Sequence, residues 1–267
     1  MDPSPSRVAD YLDRIGYDGP AAATPETLTR IHRAHMLAVP FENLDIHLGV
    51  PIVLSVPAFY EKIVTRRRGG FCYELNGLFA WLLAQLGFPV TLHSARVTSS
   101  GRLSPEFDHL VLSVALGGRW IADVGFGDSS LVPLPIVPAR TRSADGYAIH
   151  VRGEVCTMGW WSHGFLDPRY LFTLAPRRLD EFEARCEFQQ TSPESHFTQN
   201  TICSRATRSG RISLAGGTLI VTAEGTRTER AIGGLEEYGS LLRNDFGIEL
   251  TDGEIERLMR AHRSPAA

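Results

Sequence analysis

The hydrophobic pattern of this chain changes period at Gly87-Phe88-Pro89, and that break limits the fold more than any other feature. From Ser4 to about Leu86 apolar residues recur at helical spacing, as in Val8, Leu12 and Ile15, and again in Leu28, Ile31 and His35. Thr24-Pro25 is a helix-opening pair and Pro40 ends the same helix, while another helix is expected over Pro57 to Arg67, stopped by Gly69-Gly70. The next opens near Cys72 and carries Leu75, Leu78, Phe79, Leu82, Leu83 and Leu86 up to Gly87, an apolar face broad enough to require deep burial. After Pro89 the segments VTLHSARV, HLVLSVAL, WIADVGF and RYLFTL are short, branched or aromatic, and separated by Gly, Pro or Ser, which is a strand pattern.

Beyond about Asp180 the types mix, with strands expected in RISLAG, TLIVTAEG and TERAIG and a helix from about Leu235 to Phe246. Thr251 and Glu254 form a capping box for one more helix. The chain therefore divides as 1–88, 89–180 and 181–267 within an α+β fold. At 43% hydrophobic and 21% charged residues it can bury a substantial core, and a formal net charge of −3 gives no reason to expect nucleic acid. No signal-like or membrane-length apolar stretch occurs, so a cytoplasmic protein without a membrane partner is expected. Four scattered cysteines without a Cys-x-x-Cys pair argue for reduced thiols and against structural zinc.

One cysteine stands apart. Cys72, in RRRGGFCYELNG, falls in the first turn of the apolar helix, where unpaired N–H groups and the helix dipole favour a thiolate and the thiol pKa is expected to drop. Gly69 and Gly70 would let backbone and substrate approach it closely. A buried structural thiol is the commoner fate of an isolated cysteine and is the reading adopted for Cys156, Cys186 and Cys203.

A thiol nucleophile needs an imidazole to take its proton and a carboxylate to orient that imidazole. His109 opens the strand HLVLSVAL, and Asp123 interrupts the apolar WIADVGF across Gly117-Gly118. A two-residue loop would put Asp123 opposite Leu112, on the wrong face. A three-residue loop of Leu116, Gly117 and Gly118, with Gly118 left-handed, puts it opposite Val111 and diagonal to His109. The latter register is expected, because a carboxylate buried between Ile121 and Val124 needs a partner. Asp108 is the rival carboxylate, but strand alternation turns it to the other face.

Other features carry less. His32 and His35 lie one turn apart on a helix without a third ligand at usable spacing, so no metal site is expected. Glu42 in PFEN should be buried and paired with a cation, for which Arg68 is a candidate. Phe41, Phe71, Tyr73, Phe126 and Phe197 are candidates to line a flat apolar pocket, although most aromatics in any chain are core.

The strings RIGYDGP, VPFENLDIHLG, RGGFCYELNGLFAWLL, WIADVGFGD and TSPESHFTQNTICSRAT, in this order from about Tyr11 to Leu250, resemble the arylamine N-acetyltransferases. The resemblance implies a helical bundle, a β-barrel-like domain and an α/β lid, with a papain-like triad of Cys72, His109 and Asp123. It implies ping-pong transfer from acetyl-CoA, a co-substrate and no tightly bound cofactor, to an arylamine, arylhydrazine or arylhydroxylamine. By the same resemblance Gly125, Phe126, Gly127 and Phe197 approach the coenzyme, and Phe41, Val97 and Phe126 line the acceptor pocket. The family often has Thr-His where this chain has Phe107-Asp108-His109, which touches substrate or cofactor contacts and not the base. A thiol hydrolase and a macrolactam-forming amide synthase fed by a carrier protein share the triad chemistry, and a non-catalytic binder is the third alternative. Oligomeric state has no signature here.

Overall fold

The computed structural model describes residues 5–138 and 140–261. Its first part is helical: α1 (Pro5–Arg14), α2 (Pro25–Ala38), α3 (Leu44–Leu48), α4 (Val56–Tyr60) and α5 (Cys72–Gln85), with a two-residue strand β1 (Phe41–Glu42) between them. Thr24 caps α2, its hydroxyl accepting from the Thr27 N–H at 3.2 Å. The helix expected over 57–67 starts at Val56 and widens after Tyr60 into a π-helical turn, Glu61–Thr65. Helix α5 is buried on nearly every side, and Phe59 packs so close to Gly77 that an added Cβ there would sit 2.7 Å from its ring.

The middle of the chain forms β2 (Val90–Ser99), β3 (Arg102–Leu103), β4 (His109–Ala115), β5 (Arg119–Ile121), β6 (Leu134–Ile136), β7 (Arg140–Arg142), β8 (Tyr147–Arg152), β9 (Val155–Ser162) and β10 (Phe165–Thr173). They make one antiparallel sheet in the order β6-β5-β4-β2-β10-β9-β8-β7, with β3 beside β2. The sheet curls until its end strands approach each other, where the Thr141 hydroxyl donates to the Pro135 carbonyl at 2.6 Å. Strand β4 reads as a continuous apolar run because both its faces are covered. Leu110, Leu112 and Val114 join the core around α5, whereas Val111 joins Ala95, Ile121, Tyr147, Met158 and Tyr170 inside the curl. Each such fully buried side chain stabilises by about 1.5–3 kcal/mol relative to exposure.

After a 3₁₀ turn at Leu179–Phe182 come α6 (Glu183–Thr191), α7 (His196–Gln199), β11 (Ile202–Thr207), β12 (Gly210–Ala215), β13 (Thr218–Ala223), β14 (Thr226–Ala231), α8 (Leu235–Phe246) and α9 (Asp252–Ala261). Strands β11 to β14 follow as consecutive hairpins, and β1 completes their sheet at the β11 edge. A third cluster, Leu44, Leu48, Leu214, Tyr238, Leu242 and Leu258, seats α8 and α9 on this sheet. The capping box of α9 forms: Glu254 accepts from the Thr251 N–H at 2.8 Å. No helix among the described residues is long and apolar enough to cross a membrane.

The hairpin register is the three-residue one: Ala115 pairs with Arg119, Val114 with Trp120 and Ser113 with Ile121. The left-handed residue is Gly117, at φ 61°, and not the expected Gly118. Strand β5 is also shorter than WIADVGF suggests. After the Ala122 N–H bonds to Leu112 the chain leaves the ladder, because Asp123 and the residues after it hydrogen-bond with side chains instead.

Candidate active site

Cys72 occupies the first position of α5, and the glycines before it serve backbone packing. A Cβ on Gly69 would lie 2.1 Å from the Pro40 carbonyl oxygen, so only glycine lets β1 run alongside, where the Glu42 N–H donates to the Gly70 carbonyl at 2.9 Å. Glu74, two residues on, accepts from the Phe71 N–H at 3.0 Å and ties down the helix start. Its carboxylate belongs to a buried ionic cluster. Lys62 lies 3.0 Å from Glu74 and 2.9 Å from Asp45, and Arg68 lies 2.7 Å from Glu42 and 3.1 Å from Asp45. The expected Glu42–Arg68 pair is therefore present, within a group of three carboxylates and two cations. Burial pushes the Glu74 carboxyl up to about 7, with Glu42 adding to the rise and Lys62 opposing it. Lys62 is raised as well: burial opposes its charge, but Glu42, Glu74 and Asp45 together outweigh burial and favour it.

His109, 1% exposed, and Asp123, 2% exposed, meet as the register requires, His109 Nε2 lying 2.9 Å from Asp123 Oδ2. Asp123 accepts three further bonds: from the Tyr170 hydroxyl at 2.7 Å, from Asn76 Nδ2 at 2.8 Å and from the Gly125 N–H at 2.9 Å. Burial alone would raise its pKa. The His109 charge, then bonds from His109, Asn76 and Tyr170, outweigh that and hold it at about 2. With Nε2 donating to a carboxylate, the imidazole presents Nδ1 as its proton acceptor, and Phe126 and Tyr170 pack on the ring at 5.1 and 4.9 Å.

Asn76 is the joint of the site. One helical turn beyond Cys72, its amide donates to the Leu110 carbonyl at 2.6 Å and to Asp123, and accepts from the Val124 N–H at 3.0 Å. A Cβ on Gly125 would come within 2.8 Å of the Cys72 carbonyl oxygen, so the loop after Asp123 rests directly on the cysteine's turn. Sequence reasoning picks out neither Asn76 nor Tyr170. Asn76 does carry a usable signal, an amide four residues after a candidate nucleophile in an otherwise apolar helix, whereas Tyr170 is indistinguishable in sequence from any other aromatic on a strand.

The Cys72 thiol is 4% exposed, and burial pushes it well above the ordinary value, with the Asp108 carboxylate the next contributor and a hydrogen bond at Leu110 opposing. The direction is opposite to the depression expected from the helix start, and burial is its largest cause. Cys72 and His109 border one cavity of about 1330 Å³, together with Phe41, Val97, Gly125, Phe126, Gly127 and Phe197. Phe71 and Tyr73 do not line it. Both are fully buried, stacked edge-on at 5.0 Å, and the Tyr73 hydroxyl donates to the Phe107 carbonyl at 2.8 Å; alternation around a helix turn points neighbours of Cys72 into the core. Asp108 also borders the cavity, contrary to the alternation argument, because β4 begins only at His109. His32 and His35 are buried, bonded to the Leu131 carbonyl at 3.2 Å and the Tyr11 hydroxyl at 3.0 Å, and burial lowers the pKa of both.

The sheet of β11 to β14 also borders the cavity, and its Arg211 reaches to 3.4 Å from Asp128 in the VGFGD loop. Segment 193–200 is anchored by Asn43 and His47, which donate to the Phe197 carbonyl at 3.0 and 2.9 Å and bring Phe197 to 6.0 Å from Phe41.

A family model described as N-acetyltransferase matches residues 24–255. An arylamine N-acetyltransferase of Mycolicibacterium smegmatis is 36% identical over 252 residues, covering 91% of this chain and 92% of its own. The chain belongs to the arylamine N-acetyltransferase family. Arylamine N-acetyltransferase 2 of Mus musculus is 34% identical over 90% of this chain and 93% of its own. Among solved structures, the Nocardia farcinica arylamine N-acetyltransferase superposes with a TM-score of 0.85 at 35% identity, covering 94% of this chain and 93% of its own. The Mycobacterium marinum arylamine N-acetyltransferase in complex with CoA has a TM-score of 0.88 at 28% identity, covering 95% and 99%. The three-domain fold of the family's solved structures is thus the fold of this chain.

Proposed function

We propose that Cys72, His109 and Asp123 are the residues with which this member of the arylamine N-acetyltransferases performs acetyl-CoA-dependent N-acetylation of arylamines. The observation that carries the reading is one cavity bordered by both Cys72 and His109, with His109 held at 2.9 Å by an Asp123 that stays ionised. The thiol passes its proton to His109 as the sulfur attacks the thioester carbonyl of acetyl-CoA. The CoA sulfur leaves with that proton, and the acetyl group stays on Cys72 as a thioester. The amine nitrogen then attacks this carbonyl, His109 takes the nitrogen's proton and returns it to the Cys72 sulfur, and the amide departs. Burial favours this coupled transfer, since a free thiolate at Cys72 is costly until the imidazolium is beside it.

Gly125, Phe126, Gly127 and Phe197 lie where a coenzyme could enter, and Phe41 and Val97 where an aryl ring could sit, all on the cavity wall. Its volume exceeds that of a drug-sized pocket, as a co-substrate of this length requires. Arylhydrazines and arylhydroxylamines belong to the same proposed acceptor range, since their nitrogens are nucleophilic in the same position. A cytoplasmic setting is supported by four cysteines that are all free thiols. Divisions at residues 88 and 180 are our proposed domain limits, supported by the change from helices to the curled sheet and back to mixed structure.

The test is incubation with acetyl-CoA alone, peptide mass spectrometry of the product, then a panel of arylamines and hydrazides. An acetyl group on Cys72 that persists until an amine is added is expected. Rapid release of acetate without amine would make the protein a thiol hydrolase, and transfer only from a carrier-protein thioester would make it an amide synthase.

A further inference from the structure

Immediately before His109 the backbone does something unusual. Phe107, a bulky aromatic, sits at φ 67°, a left-handed conformation that strains such a residue. Three contacts hold it there. The Tyr73 hydroxyl donates to its carbonyl at 2.8 Å, its ring packs edge-on against Phe182 at 5.1 Å, and the Arg177 guanidinium lies 5.2 Å from the ring centre. The turn directs Asp108 to the wall of the cavity that Cys72 and His109 border. There its Oδ1 accepts from Arg185 Nε at 2.6 Å and from Gln189 Nε2 at 2.5 Å, both on α6 and both lining the cavity. Oδ2 takes part in neither bond. Arg185 is thus ion-paired with Asp108, and its guanidinium also stacks 4.1 Å from the Phe188 ring centre. The strain, the clamp and the placement serve one carboxylate at the nucleophile's end of the cavity.

We propose that Asp108 is a specificity-determining residue for the acceptor: its Oδ2 accepts a hydrogen bond from a donor substituent on the arylamine, so acceptors with an amide or hydroxyl are favoured over those with a carboxylate. A carboxylate on the ring would place like charge against Asp108 in a partly desolvated site, while a donor would satisfy it. The upward push that Asp108 exerts on the Cys72 thiol accords with its charge being felt at the reacting end.

The inference rests on the proposed function, and the experiment separates the two. First, wild type, Asp108→Asn and Arg185→Gln are incubated with acetyl-CoA; absence of acetyl-Cys72 in the wild type would count against the triad reading, not against Asp108. Then kcat/KM is measured for the isosteric acceptors 4-aminobenzamide and 4-aminobenzoate. In a ping-pong reaction the ratio of these two values depends on the second half-reaction alone, so changes in thiol acidity cancel. The wild type is expected to prefer the amide by roughly tenfold or more, and Asp108→Asn to bring the ratio near unity. Arg185→Gln, which removes the neighbouring cation, is expected to widen the preference; it also carries the test should Asp108→Asn fail to fold. A wild-type preference for the benzoate, a ratio in Asp108→Asn within about threefold of wild type, or a narrower preference in Arg185→Gln would overturn the proposal.

Discussion

Asp123 accepts four hydrogen bonds while 2% exposed, and its neighbours serve by donation rather than by size. Because its folded pKa of about 2 lies below the ordinary 3.8, the carboxylate contributes stability that is present above 3.8 and lost as pH falls toward 2. The shift corresponds to about 2 kcal/mol. Asp123→Asn should therefore flatten urea-derived stability across that acid window, and should lower arylamine kcat/KM by roughly a thousandfold or more through loss of the imidazole's orientation. A variant with near-normal turnover would mean that Asp123 is structural only. Cys72 makes another, independent prediction. Burial and Asp108 raise its thiol, and on the proposed mechanism its proton leaves readily only when His109 receives it. In His109→Gln, iodoacetamide labelling of Cys72 at neutral pH should fall below that of a model thiol and recover only at strongly alkaline pH. Labelling as fast as in wild type would show that the imidazole does not activate the sulfur.

At the scale of elements, the start of α5 is held by charge as much as by glycine. The cluster beneath it has three carboxylates for two cations, and burial with Glu42 nearby favours a proton on Glu74. Glu74 is raised from 4.5 to about 7, so the fold favours its protonated form: that contribution is complete below 4.5 and is lost as pH rises through 7. The loss amounts to about 3 kcal/mol. Glu74→Gln keeps an acceptor for the Phe71 N–H and removes the titration, so its stability should stay level between pH 5 and 8 where the wild type declines, as denaturant unfolding at the two pH values would reveal. Equal slopes in both proteins would show that another group titrates. Lys62 could not be placed in this cluster by periodicity, because it depends on how the π-helical turn after Tyr60 lies over α5. By contrast Thr24, the capping box at Thr251 and the span of α8 follow from local side-chain-to-backbone chemistry, which any sequence displays openly.

At the scale of the molecule, the cavity lies between the curled sheet, segment 183–200 and the sheet of β11 to β14, so a ligand in it touches all three. A co-substrate that binds the folded chain and not the unfolded one should stabilise it by about 3 kcal/mol at a hundredfold excess over Kd. Thermal melts with CoA should thus rise by several degrees, in Cys72→Ser as well, because binding does not need the sulfur. No rise in either protein would place the coenzyme elsewhere.

The helix, strand and mixed order, the position of Cys72 at a helix start and the odd hairpin register that joins His109 to Asp123 are legible in residue order alone, because they follow from periodicity, turn length and the need of a buried charge for a partner. What surrounds them depends on the packing of the folded chain. Phe71 and Tyr73 go to the core, Asn76 and Tyr170 complete the site, Asp108 turns to the cavity from a strained Phe107, and the thiol is raised rather than lowered. Each of these depends on which distant segments pack together, and desolvation and long-range hydrogen bonding have no period along a chain.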